Sequence, residues 1–331
     1  MADRLRPALP LLGWFARTLA RLALVFLVVT FVAFLLLARL PGDICIAQLG
    51  FNAGVPGLLE KCRHSFGLDR SLVHQYVAWL GHFVRGDLGT DPISRRPMTV
   101  MLGMRFGRTL ELVVITMTLS LLIGTGAGLA MAYREGRWLD RLLSASSMVA
   151  VSIPVFVVMV FFQTVLVGRW GLFPPSGLPP WSVDPVRHLH SLVLPVTTLV
   201  LVEFPVIARV VRADAITTLQ SDHVAAAKSR GLSHRAVLTR HVLRPSSFTL
   251  VTVAGLQAGE LVSGLVVVER YFGVDGLGSM FFGAVTARSG FMLMTLVTIG
   301  AATWVVLNAT VDLVYTWLDP RVRAARRAPA A

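Results

Sequence analysis

Six apolar stretches, at about residues 17–40, 108–133, 142–167, 192–211, 246–268 and 291–317, divide this chain. Each is about twenty residues or longer, enough for a helix to cross a bilayer core roughly 30 Å thick. A soluble domain cannot bury so many uninterrupted apolar helices. Composition agrees, with 55% hydrophobic residues, 15% charged residues and a mean hydropathy of +0.69. The formal charge is +13, but the arginines do not form one stripe for nucleic acid. They collect at the ends of the apolar runs, where a membrane protein places them. The expected fold is therefore an all-α polytopic membrane protein, one domain over residues 1–331. Its solvent is membrane lipid, and nucleic acid is not an expected partner.

The basic residues also set an orientation. Arg4, Arg6, Arg17 and Arg21 precede or open the first run. A basic start before an apolar centre is shared with signal peptides. This run is long for one and ends at Arg39 without a clear small-x-small cleavage site, so it reads as a retained first span. Arg134, Arg137 and Arg141 mark the turn after the second run, and seven basic residues lie between Arg209 and Arg244. The short segments on the other side carry only Arg169, Arg187, Arg270 and Arg288. That asymmetry places both termini in the cytoplasm and residues 41–105 in a long outer loop. Within that loop Val73, Tyr76, Val77, Leu80, Phe83 and Val84 fall at helical spacing, the pattern of a short amphipathic helix packed on the span ends. Gly124 and Gly128 form a GxxxG pair, with Gly126 between them, inside an apolar run; close helix packing is the expected use. Pro154 is expected to kink the third span.

Between the fourth and fifth runs lies a polar, basic stretch, Asp222 to Pro245, within a cytoplasmic loop of about 213–245. It reads as two short helices joined at a glycine. Ser221 or Asp222 can cap the first, Gly231 can end it in a left-handed conformation, Ser233 can cap the second, and Pro245 is expected to stop it. Ala225, Ala226 and Ala227 keep the centre of the first helix small enough for another protein to approach closely.

A small-residue triplet, a glycine and a helix leading into the next span resemble the EAA loop of ABC-type importer permeases. With Gly231 matched to the motif glycine, Ala226 and Ala227 match its alanines, and Ala225 stands where the motif has glutamate. The wording AAAKSRGLSHRAVLTRHVLR is most similar to the dipeptide/oligopeptide branch. "GLD" and "GDLG" in the outer loop, GVDGLG at 273–278 (with Asp275 in place of the usual proline) and the closing LDPR at 318–321 carry the same resemblance. The resemblance implies a type I permease fold with six spans. It also implies a coupling surface for a cytoplasmic ATPase, which would draw on Asp222, Ala225, Ala226, Ala227, Lys228, Arg230, Gly231, Leu232 and Ser233. The implied partners are a second, homologous permease subunit in a heterodimer, two ABC ATPases that bind ATP and Mg, and an external solute-binding protein. The implied location is the inner membrane of a bacterium, and the implied cargo is di- and oligopeptides. Nickel chelates or another small solute remain open, as does an ion-coupled secondary transporter, which would need an internal repeat and a broken-helix ion site.

Chemistry belonging to the chain itself is not expected. A phosphate loop needs Gly-Lys-Ser/Thr, and the two lysines, Lys61 and Lys228, follow Glu60 and Ala227. The chain thus reads as no enzyme and as needing no cofactor of its own. His188 and His190 could offer two metal ligands but read as a polar loop pair, because no carboxylate or cysteine cluster adjoins them. Glu111, at the head of the second run, reads as structural. Glu203, Gln257 and Glu260 fall inside apolar runs. Buried acids are costly there, so these residues either line a solute path or make structural hydrogen bonds. Asn308 and Asp312 could bond a neighbouring helix. Cys45 and Cys62 are the only cysteines and fall in one outer loop. They are candidates for a disulfide or two unrelated residues.

Overall fold

The structure is a computed structural model that describes residues 9–39, 44–49, 54–65, 67–91, 96–287 and 289–318. In chain order its helices are α1 Leu9–Ala38, α2 Ile44–Leu49, α3 Leu58–Ser65, α4 Leu72–Val84, α5 Met98–Tyr133, α6 Trp138–Ser152 and α7 Val155–Phe161. They continue as α8 Pro185–Leu219, α9 Asp222–Ser229, α10 His234–Ala236, α11 Leu243–Phe272, α12 Leu277–Thr286 and α13 Gly290–Leu318. Wide π turns extend α7 through Phe162–Arg169 and join α10 to α11 through Val237–Val242. Among the described residues, four helices are long and apolar enough to cross a membrane. Two bent pairs would bring the number to six if each crosses once. Leu40, Arg288 and the residues 319–321 of the LDPR match lie outside the described residues, as does the Asp312 side chain.

Several local expectations are corrected. The second apolar helix begins at Met98 rather than near 108, and the polar stretch before it holds α2, α3 and α4 rather than one short helix. The third run is not one kinked helix. α6 ends at Ser152, and the following helix departs at 93°. Ile153 is extended, at φ −83° and ψ 119°, the conformation that the steric bulk of a following proline favours over the helical one. The fourth helix runs well beyond 192–211 at both ends. Asp184 caps it by accepting from Arg187 N–H at 2.9 Å, and Pro185 occupies its first turn. His188 and His190 are therefore helical. Pro245 does not stop the second loop helix, which continues into α11. Proline lacks an N–H and clashes with the carbonyl four residues back, and the π turn ahead of it widens the backbone there.

The chain divides into two units. In the first, which runs up to Gly107 and includes Gly276–Ala309, Met98, Leu102, Met280, Ala284, Leu293 and Leu296 form a buried cluster. α4 lies against α1 by its aromatic face. Tyr76 packs edge-on to Phe31 and Phe34 and shares a 2.8 Å hydrogen bond with Thr30, and Phe83 meets Phe26. Val73, Val77 and Val84 are exposed, so only part of the expected stripe packs; the aromatic residues define the buried face. At the GDLG turn, Gly89 N–H and then His82 hold the Asp87 carboxyl below the ordinary carboxylate range.

In the second unit, Arg108–Asp275 with the chain from Thr310, α8 is the central helix. Its residues Leu192, Leu194, Val196, Leu199 and Val200 pack with Leu112, Met159, Leu261, Leu265 and Val268. The GxxxG pair faces it. A Cβ on Gly124 would lie 2.9 Å from Phe204 O, and one on Gly128 would lie 2.7 Å from Ala208 O. Glycine is required at these two positions because the α8 backbone occupies the space a side chain would need.

Candidate functional site

The corner between α8 and α11 is built from a short-range code. After α9, Gly231 takes φ +78°, a left-handed value that glycine adopts without Cβ strain. Its N–H donates to Lys228 O at 2.9 Å, and Leu232 N–H donates to Ala227 O at 3.3 Å. This pair of bonds closes a helix end in the Schellman pattern. Ser233 Oγ then accepts from Ala236 N at 3.4 Å and starts the next helix. Ser221 stands at the N-cap of α9, but its hydroxyl donates to Thr218 O at 2.6 Å instead of capping.

The corner is anchored by an apolar cluster. Val224, Val237, Val242, Ala215 and Ala132 are buried, with Leu129, Ile216, Leu219, Leu232 and Leu238 packed around them. This divides the coupling residues expected from sequence. Asp222, Ala225, Ala226, Lys228, Arg230, Gly231 and Ser233 are exposed. Ala227 has no exposed surface, which corrects its expected place on the outward face, and Leu232 is part-buried in the cluster. Val224, equally buried, was missed; the i, i+3 spacing of Val224 and Ala227 is the sequence signal that marks this inward face.

A charged clasp beside the corner was also missed. Arg212 on α8 donates from Nε to Asp140 Oδ1 at 2.7 Å and from Nη2 to Oδ2 at 2.8 Å. Gly136 N–H donates to Oδ2 at 3.0 Å, and Ser144 Oγ donates to Oδ1 at 3.3 Å. Asp140 is 4% exposed. Its partners lie four residues away along the chain and 72 residues away, and only the former could be read locally.

Of the expected path residues, Gln257 Nε2 donates to Glu203 Oε2 at 2.6 Å, and both side chains are buried between α11 and α8. Glu260 is exposed, on a face of α11 shared with Leu256 and Val267. Glu203 and Gln257 therefore make a helix-to-helix bond, while Glu260 points away from the packed core. Asn308 turns inward on its own helix, donating to Trp304 O at 2.9 Å.

Glu111 gathers the other end of the same unit. Its Oε1 accepts from Trp181 Nε1 at 2.8 Å and lies 2.9 Å from His188 Nε2, while His188 Nδ1 donates to Pro179 O at 2.6 Å. His190 stacks near Phe173 instead, so the two histidines do not converge. Among the described residues no group of three His, Cys, Asp or Glu could hold a metal ion. Cys45 and Cys62 are joined as a disulfide, with Cα atoms 5.8 Å apart.

Comparison with known proteins gives this geometry a context. Residues 124–324 match the family described as the binding-protein-dependent transport system inner membrane component. Residues 11–121 match the N-terminal part of such membrane components. The chain is 30% identical over 299 residues to a putative peptide transport system permease protein of Brucella abortus (strain 2308), covering 90% of this chain and 95% of that protein. It is also 30% identical over 313 residues to the glutathione transport system permease protein GsiC of Pectobacterium atrosepticum, covering 95% and 99%. Among solved structures, the inward-facing MetNI methionine ABC transporter matches with a TM-score of 0.56 and 17% identity, over 67% of this chain and 98% of that one. This likeness supports the type I permease fold. The match extends across nearly the whole chain and includes the corner at Gly231, and it describes a transport permease rather than a nucleotide hydrolase. The chain belongs to the family of inner-membrane permease components of binding-protein-dependent ABC transport systems.

Proposed function

We propose that this chain is one pore-forming subunit of an ATP-driven importer of di- and oligopeptides delivered by an external solute-binding protein. The observation that carries the reading is the α9 corner. It is a helix too short to cross a membrane, closed by Gly231, with Ala225 and Ala226 outward and Val224 and Ala227 locked into the cluster shared with α5 and α8. A rigid, small-residue surface of this kind suits a cleft in a cytoplasmic ATPase, and its apolar root passes the push to the long helices. Two such ATPases would bind ATP and Mg and dock on α9 of this chain and of a second, homologous permease. Both termini and α9 then lie on the cytoplasmic side of the inner membrane. Opening and closing of the path would follow rigid-body rocking of the helices.

Peptide cargo is supported by the relatives named for peptide and glutathione transport, glutathione being itself a small peptide. The test is uptake by the reconstituted complex with its cognate binding protein. Labelled dipeptides, a pentapeptide and glutathione would be compared with a nickel chelate. ATP-dependent accumulation of peptides is the expected result. Accumulation of the chelate alone would replace the cargo, and accumulation driven by an ion gradient without ATP would overturn the reading.

A further inference from the structure

We infer that the Asp140–Arg212 clasp is a positioning element for transport. It makes the broken pair α6 and α7 follow the coupling end of α8. This rests on the proposed docking of an ATPase at α9.

The argument starts from where the clasp sits. Arg212 lies one helical turn before Ala215 and Ile216, which pack in the cluster holding Val224 of α9. A displacement of α9 therefore reaches Arg212 through this packing and one turn of α8. Asp140 lies in the first turn of α6, and its carboxylate accepts from Arg212 twice, from Gly136 N–H and from Ser144. A two-toothed guanidinium–carboxylate contact fixes orientation as well as distance, which a single lysine contact does not. Asp140 is buried and Arg212 part-buried, so the pair is less open to exchange with water than a surface pair. From Asp140, α6 runs to Ser152, and the chain turns by 93° at Ile153 and Pro154. The break has exposed residues on both sides, Val151 to Pro154, and at 93° it is the sharper of the two bends between paired helices among the described residues. Motion of α6 as a lever is absorbed there.

The experiment uses the full complex with its ATPases and a reporter, Ser152→Cys. Maleimide labelling at residue 152 is read by mass spectrometry of that peptide in the resting complex and in the orthovanadate-trapped complex. This readout needs no knowledge of the cargo. With the clasp intact, the labelling rate at 152 should change by at least about fivefold on trapping, the size of an ordinary coupling between sites. In Asp140→Asn the change should vanish while assembly and basal ATP hydrolysis persist. Arg212→Lys, which keeps charge but loses the fork, should give an intermediate change. If Asp140→Asn fails to assemble, Arg212→Lys alone decides: an undiminished change overturns the inference. A full change in assembled Asp140→Asn also overturns it. A complex with native Asp140 and Arg212 that hydrolyses no ATP refutes the docking reading instead.

Discussion

Leu232 N–H reaches back across Gly231 to the carbonyl of Ala227, and the same Ala227 is wholly buried while its neighbour Ala226 is exposed. Adjacent alanines in one motif thus face different problems, one an interface and the other a core. Ala226→Trp is expected to leave the permease inserted and folded but to abolish ATPase docking and transport. Ala227→Trp is expected to lower the amount of folded chain itself, because overpacking a filled core costs about 1–3 kcal/mol or more. Quantifying detergent-stable permease alongside ATPase co-purification separates the two. Equal behaviour of both variants would sink the division of faces.

At Gly231, φ is +78° and a Cβ would meet nothing within 4 Å among the described residues. The requirement is conformational rather than spatial. Gly231→Val is therefore expected to stop transport by turning α9 out of register, at a strain of about 1–2 kcal/mol. Gly231→Asn, which tolerates the left-handed region better, should keep most of the activity. Uptake measured for both at matched expression checks this; normal uptake in the valine variant contradicts it.

Gly124, Gly126 and Gly128, three of the glycines of α5, provide an internal control. Gly128→Ala would press a Cβ to 2.7 Å from Ala208 O and from Val211 Cβ, and Gly124→Ala would meet Ile207 at 2.8 Å. At Gly126 nothing lies within 4 Å among the described residues. The first two substitutions should lower the melting temperature of the purified permease, at about 1–3 kcal/mol each. Gly126→Ala should leave it unchanged or slightly raise it, since alanine favours a helix. A uniform effect across the three would mean that α5 does not pack on α8 through this face.

The acids in the apolar runs divide in the same way as the alanines. Gln257→Leu leaves the Glu203 carboxyl without its 2.6 Å donor and is expected to cost about 1–3 kcal/mol of stability. Glu260→Gln should spare assembly and reduce uptake, more for peptides with a free amino terminus than for their acetylated forms. Competition uptake with acetylated and free peptides tests it, and equal loss for both forms removes Glu260 from the path.

For Cys45 and Cys62, bonded in the structure, thiol labelling of the unreduced, denatured protein should find neither cysteine free, and labelling after reduction should find both. Closing a loop of this length contributes about 3 kcal/mol in the chain-entropy model, so Cys62→Ser should lower stability. Full labelling without reductant would show that the bridge does not form.

The sequence alone determined the class of fold and the helix corner at Gly231. Both are local properties. An apolar run of sufficient length has only a helix available to it in lipid, and Ser233, Gly231 and the alanines specify a helix end and a restart within a dozen residues. The resemblance of this corner to the EAA loop was legible for the same reason. Tertiary structure decided which residues of the corner face inward and what holds it. Asp140 and Arg212 are 72 residues apart, Glu203 and Gln257 are 54 apart, and Glu111 and His188 are 77 apart. Each pair consists of ordinary charged or polar residues in unremarkable surroundings, and no periodicity links them. Helix packing selects such partners, and it depends on side chains along the whole length of α5, α6, α8 and α11. The right-angle break at Pro154 and the passage of α11 through Pro245 were also settled there. Proline specifies only what its own backbone cannot do, while the neighbouring helices decide whether the chain turns or widens around it.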